Sequence, residues 1–83
     1  MKRVLMVAKL LPESVEPFAS MLDLDDLIEA RLPQNMELDG SEQEVENLCV
    51  YVYSDEANTV ALADALAKVV GQTNVISVEI RVA

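Results

Sequence analysis

Few side chains of this 83-residue chain could do chemistry. There is no His, so there is neither a histidine base nor a histidine metal ligand. The single cysteine, Cys49, cannot form an internal disulfide or a multi-cysteine zinc site. No Lys or Arg lies near it in sequence to lower its pKa, so the expected role is a buried structural thiol. Carboxylates remain. Asp23, Asp25 and Asp26 could act as acid or base in a small enzyme of the dimeric α+β barrel kind. Asp25 and Asp26 are adjacent, however, and diverge by about 100° on a helix. That geometry does not hold two carboxylates across one substrate, and favouring a helix N-terminus is their ordinary use. Glu42, Glu44 and Glu46 could ligate Ca²⁺ or Mg²⁺ in principle. They lack the Asp/Asn-Gly loop pattern of a dedicated site, so a solvated acidic loop is expected. No catalytic, cofactor or metal residue is assigned.

Charge and aromatic content narrow the partners. Six Lys and Arg stand against 15 Asp and Glu, for a net charge of −9, and the aromatics are Phe18, Tyr51 and Tyr53. Such a chain is a poor nucleic-acid binder, because phosphate contacts need Lys and Arg and base stacking needs aromatic rings. No apolar run reaches the ~18–20 residues of a membrane span. Met1-Lys2-Arg3 followed by Val4 to Leu11 faintly resembles a secretory leader. Lys9 interrupts that run and no small-residue cleavage site follows, so a cytoplasmic protein is expected. The 52% hydrophobic content argues for a packed core rather than a disordered tail. At this length the chain is one domain, residues 1–83, burying a little over ~60% of its unfolded surface. It folds alone with a thin margin or gains stability as an oligomer.

The elements follow from pattern. Val4 to Leu11 is a short apolar run ended by Pro12, as in a central strand covered on both faces. Lys9 can extend its ammonium to water from such a strand. Between Pro12 and Leu22, Val15, Phe18, Met21 and Leu22 have helical spacing, and Pro17 suits a first helical turn. Asp23 is an N-cap candidate, followed by a helix with Leu24, Leu27 and Ile28 toward a core and Arg31 at the rim. Pro33 ends it. Met36 and Leu38 alternate with Glu37 and Asp39 as in a half-buried strand. Gly40 opens a turn, and Ser41 to Asn47 is an acidic loop or frayed strand start.

Leu48 to Tyr53 is a clear strand, with Leu48, Val50 and Val52 on one face and Cys49, Tyr51 and Tyr53 on the other. Both faces are apolar enough to be covered, so two arrangements stand: the tyrosines on the open face of the sheet, or the tyrosines in the core. Asn58 or Thr59 caps a second helix with a stripe of Leu62, Ala63, Leu66, Val69 and Val70, closed by Gly71. In Asn74 to Val82, Ile76, Val78, Ile80 and Val82 face the helices, and Ser77, Glu79 and Arg81 face outward. The order strand, helix, strand, strand, helix, strand is the ferredoxin-like βαββαβ pattern. It predicts an α+β domain, a four-stranded antiparallel sheet with two helices on one face.

Val4 to Ser14, with its apolar strand, lysine and Leu-Pro-Glu-Ser turn, resembles the opening of the archaeal-type translation elongation factor 1 beta subunit. The resemblance continues through Asp23 to Glu29, where that family has Asp-Leu-Glu-Ala-Leu, and through Leu32-Pro33-Gln34-Asn35-Met36-Glu37-Leu38. It resumes over Leu48 to Val70 and Asn74 to Arg81. No single motif in it is specific. The family's Gly-aromatic-Gly-aliphatic-Lys loop is replaced here by Gln43 to Asn47, its Gly-Gly before the second helix is Ala57-Asn58, and Val15 to Met21 looks inserted. Only Arg81 could supply the family's basic group near the chain end.

The resemblance implies a guanine-nucleotide exchange factor without covalent chemistry or a cofactor. Such a factor docks on the GTPase elongation factor 1 alpha and disturbs its phosphate loop and Mg²⁺ region, binding the nucleotide-poor state preferentially. Val45, in the altered loop, and Arg81 are the contacts it points to. The alternative is a non-catalytic interaction or oligomerisation domain, in which the open sheet face binds a protein partner or small ligand through Tyr51 and Tyr53. The open face and the sheet edges also allow a homodimer.

Overall fold

The computed structural model describes residues 3–81. Four strands, β1 (Val4–Leu10), β2 (Met36–Gln43), β3 (Leu48–Ser54) and β4 (Val75–Arg81), form one sheet in the order β2-β3-β1-β4. Every neighbouring pair is antiparallel. Two helices, α1 (Met21–Arg31) and α2 (Thr59–Val70), connect β1 to β2 and β3 to β4. This is the expected α+β ferredoxin-like order.

Register explains how the core forms. Met6 lies opposite Val52, Ala8 opposite Val50 and Leu10 opposite Leu48, so all six share one face of the two central strands. Leu24 and Ile28 of α1 and Leu62 and Leu66 of α2 join the same buried cluster. Both helices therefore lie on this face. Each of these leucines and isoleucines is fully buried, which contributes about 1.5–3 kcal/mol per side chain relative to exposure. Among the described residues no helix is long and apolar enough to cross a membrane.

Local chemistry sets the boundaries, and it shifts several of them from their predicted places. The N-cap of α1 is Ser20 rather than Asp23: its hydroxyl accepts from the Asp23 N–H at 3.3 Å, which puts Asp23 in the first turn. The extra turn expected around Pro17 falls earlier, as a 3₁₀ turn over Pro12–Val15 that Pro12 can begin. Leu27 is 37% exposed rather than core. Asn58 caps α2 by accepting from the Ala61 N–H at 3.0 Å, and Gly71, at φ +96°, ends it.

Gly40 does not open a turn. It lies inside β2, at φ +129°, where the register slips by one residue at Asp39. Gly tolerates that backbone angle, which keeps β2 running to Gln43. The adjacent Ser41 hydroxyl donates to the Asp25 carboxylate at 2.6 Å and ties β2 to α1. The turn between β2 and β3 is Glu44 to Asn47, closed by the Glu44 N–H donating to the Asn47 carbonyl at 2.8 Å. β4 has a bulge of its own: Val75 pairs with Leu10 and Ser77 with Lys9, leaving Ile76 as the extra residue. Val75 and Val78 pack on the core, and Ile80, opposite Met6, keeps the expected helix-side face, but at the sheet edge Ile76 and Ile80 are each 48% exposed. Val82, expected on the same face, lies outside the described residues.

Candidate functional site

The sheet face without helices is ordered by the register into three rows. Across β2, β3, β1 and β4 the first row reads Glu37, Tyr53, Leu5, Arg81. The second reads Gly40, Tyr51, Val7, Glu79, and the third Glu42, Cys49, Lys9, Ser77. Tyr51 and Tyr53 thus stand on the open face.

Cations cover the rings. The Arg3 guanidinium carbon is 5.6 Å from the Tyr53 ring centroid, and that of Arg81 is 6.0 Å from the Tyr51 centroid. Both are within cation–π range, worth about 0.5–1 kcal/mol at exposed sites. Arg3 also donates to Glu37 at 2.8 Å and lies 4.0 Å from Asp55. The Tyr51 hydroxyl donates to Glu42 at 3.0 Å. That hydrogen bond, with some desolvation and the negative charge of Glu42, raises the Tyr51 pKa. Beneath this layer Val7 is fully buried and Cys49 nearly so, although no helix covers them.

Cys49 is a free thiol, and its Sγ–H donates to Glu44 at 3.5 Å. Burial and the hydrogen bond to Glu44 push its pKa up. A thiol held protonated is a poor nucleophile, which accords with the structural role expected for it. Asp23, Asp25 and Asp26 spread along α1, and Asp25 is engaged by Ser41. Among the described residues no three His, Cys, Asp or Glu side chains gather as a metal site. The open face presents planar rings and guanidinium groups, flanked by carboxylates on both edges.

The residues singled out from sequence do not all converge. Tyr51, Tyr53 and Arg81 share the open face. Val45 sits at the tip of the β2–β3 turn, 97% exposed, beyond the end where Leu48, Leu10 and Val75 pair. Arg81 pairs with Leu5, five residues from Leu10 along β1. At ~3.4 Å per residue the two ends are about 17 Å apart, so Val45 and Arg81 belong to different contacts. Arg3 is the functional candidate that sequence reasoning missed. Its place two residues before Leu5 on the alternating face was the available signal.

Charge is distributed unevenly. α1 carries Asp23, Asp25, Asp26 and Glu29, and β2 with its turn carries Glu37, Asp39, Glu42, Glu44 and Glu46. These are nine of the 15 acidic residues, on one side of the molecule. On the opposite flank Lys68 pairs with Asp64 at 3.5 Å, and Glu79 is balanced by Arg81.

Compared with protein-family models, with curated proteins and with solved structures, the chain matches none of them.

Proposed function

We propose that this chain is a non-catalytic interaction domain that docks a protein partner on its helix-free sheet face. The observation that carries this reading is the layer of Tyr51, Tyr53, Arg3 and Arg81 on that face. Tyrosine and arginine present large contact area with polar tips, the composition of interface anchors rather than of an ordinary solvated sheet. The flanking Glu37, Glu42 and Glu79 add charge that selects orientation. The setting proposed is the cytoplasm, where the free thiol of Cys49 would stay reduced.

A second reading names the partner. The element order is the one implied by the resemblance to the elongation factor 1 beta subunit, and Arg81 stands on the open face. On this reading the partner is a GTPase of the elongation factor 1 alpha type, and the domain promotes nucleotide release by favouring the nucleotide-poor state.

One experiment separates the two readings. The ¹⁵N-labelled chain is titrated with that GTPase, and release of a fluorescent GDP is followed in parallel, with and without Arg81→Ala. Amide shifts confined to Leu5, Tyr51, Tyr53 and Arg81, with accelerated release that the substitution reduces, support both. Binding at those amides without acceleration supports docking and removes exchange. Shifts centred on Val45 and the β2–β3 turn overturn the open-face reading. No binding removes this GTPase as the partner.

A further inference from the structure

The two edges of the sheet are built differently. β2 has a bulge at Asp39, and its sequence carries Glu37, Asp39 and Glu42, features that discourage another strand from pairing. β4 runs regularly from Ser77 to Arg81 after its single bulge, and its charges are one of each sign, Glu79 and Arg81, rather than three carboxylates. Beside it a groove of about 560 Å³ opens between α2 and β4, lined by Val60, Ala63, Ala67, Val75, Ile76 and Val78. Val60 is 77% exposed at its rim.

We propose that β4 is a self-association edge, pairing antiparallel with β4 of a second copy about a two-fold axis at Val78 to make one eight-stranded sheet. Charge selects the occupant. The chain carries −9, yet on this flank Asp64 and Lys68 cancel, as do Glu79 and Arg81. Joining two copies here keeps their acidic α1–β2 sides on the outside. The register is self-complementary as well. Val78 meets its own copy, Ile76 meets Ile80, and the Ser77 hydroxyl faces Glu79 and can donate to it. Sliding by two residues one way sets Glu79 against Glu79. Sliding the other way sets Ile80 against Asn74. In the chosen register Ile80 of the second copy covers Ile76 at the groove.

Area sets the strength. Seven residues at ~3.4 Å make a flank about 24 Å long, and the shortest extent of the molecule is 20 Å. Each copy thus buries at most about 500 Å², or about 1,000 Å² together, the lower limit for a specific interface. The dimer is therefore weak and dependent on concentration. Because antiparallel pairing about this axis keeps both open faces on one side, it sets the two tyrosine pairs in a single surface. The inference stands apart from the docking reading, since it is measured with no partner present.

Sedimentation velocity of the full chain from about 1 to 500 µM tests it. The expected result is a monomer–dimer equilibrium with a Kd of roughly micromolar order. Ile76→Lys with Ile80→Lys raises that Kd at least about tenfold, while the circular dichroism spectrum is unchanged because both side chains are half-exposed. Tyr53→Ala leaves the Kd unaltered. Isotope-filtered NMR on mixed labelled and unlabelled chains shows Ile76-to-Ile80 contacts between copies. A chain that stays monomeric at the highest concentration overturns the proposal, including one whose β4 edge instead takes a foreign strand. A dimer indifferent to the lysine substitutions also overturns it.

Discussion

Two substitutions at Tyr51 separate what its hydroxyl does from what its ring does. The hydroxyl donates to Glu42 at 3.0 Å, and the ring lies under Arg81 and directly across the strand from Val7. Tyr51→Phe removes only the hydroxyl. Its acceptor is an exposed carboxylate, so the expected loss is below about 1 kcal/mol. Tyr51→Ala also uncovers Val7, which is fully buried on a face without helices. Re-exposing that valine forfeits about 1.5 kcal/mol, and the lost ring–guanidinium contact adds about 0.5–1 kcal/mol. The alanine variant is therefore expected to lose about 2–3.5 kcal/mol, a Tm lower by roughly 8–28 °C in a domain of this size. Urea denaturation of the three proteins gives the free energies. The rate of Cys49 modification by an aromatic disulfide gives a second readout, because Cys49 lies two residues from Tyr51 under the same layer. It should rise in the alanine variant and not in the phenylalanine variant. Alanine and phenylalanine variants within about 0.5 kcal/mol of each other, with equal thiol rates, would refute the claim that the ring is what buries Val7.

Leu66→Ala, in the fully buried face of α2, should cost about 2–5 kcal/mol in urea denaturation. Gly40→Ala should cost about 1–2 kcal/mol, again by urea. A Cβ there would meet nothing within 4 Å, so the whole loss would come from the +129° backbone angle. Alkaline stability follows from Tyr51 and Cys49, whose pKa values are both raised in the folded state, above 10.0 and 9.0 respectively. The folded state then holds the proton more tightly than the unfolded one. The stabilisation is complete below those ordinary values and is lost as pH rises through the raised ones. Urea midpoints measured from pH 8 to 11 should fall upward of about pH 9, and a Tyr51→Phe, Cys49→Ser double variant should show a shallower fall.

Element order and the central strands were legible in the sequence because periodicity reports burial. Val4 to Leu10 is apolar on both faces, and β1 is central, covered by α1 and α2 on one side and by the tyrosine–arginine layer on the other. The misplaced boundaries have a common cause. A cap is a backbone geometry that several residue types can serve, and Ser20 took the place for which Asp23 is equally suited. Gly40 reads as a turn residue because a turn is the commonest reason for positive φ, whereas here a bulge uses it. Two apolar faces on β3 left the side of the tyrosines undecided. The helices decide it, because Leu48, Val50 and Val52 fit against α1 and α2, while the tyrosine hydroxyls need acceptors such as Glu42. The distance between Val45 and Arg81 was invisible in sequence, since strand direction and register fix it only after folding.

The strand order has a consequence for synthesis. β1 is a central, largely buried strand, yet both of its neighbours, β3 and β4, lie far downstream in the chain. At ~5–20 residues per second, the first residue of β3 leaves the ribosome about 2–9 s after Val4. Until then Val4 to Leu10 is an apolar segment with unpaired backbone on both edges, and its β4 side stays unpaired longer still. The N-terminal half of this domain cannot form a folding unit of its own. Its nascent chain must wait with an apolar strand exposed, within reach of any holdase that recognises extended apolar peptide, and close the sheet only when the last strand arrives.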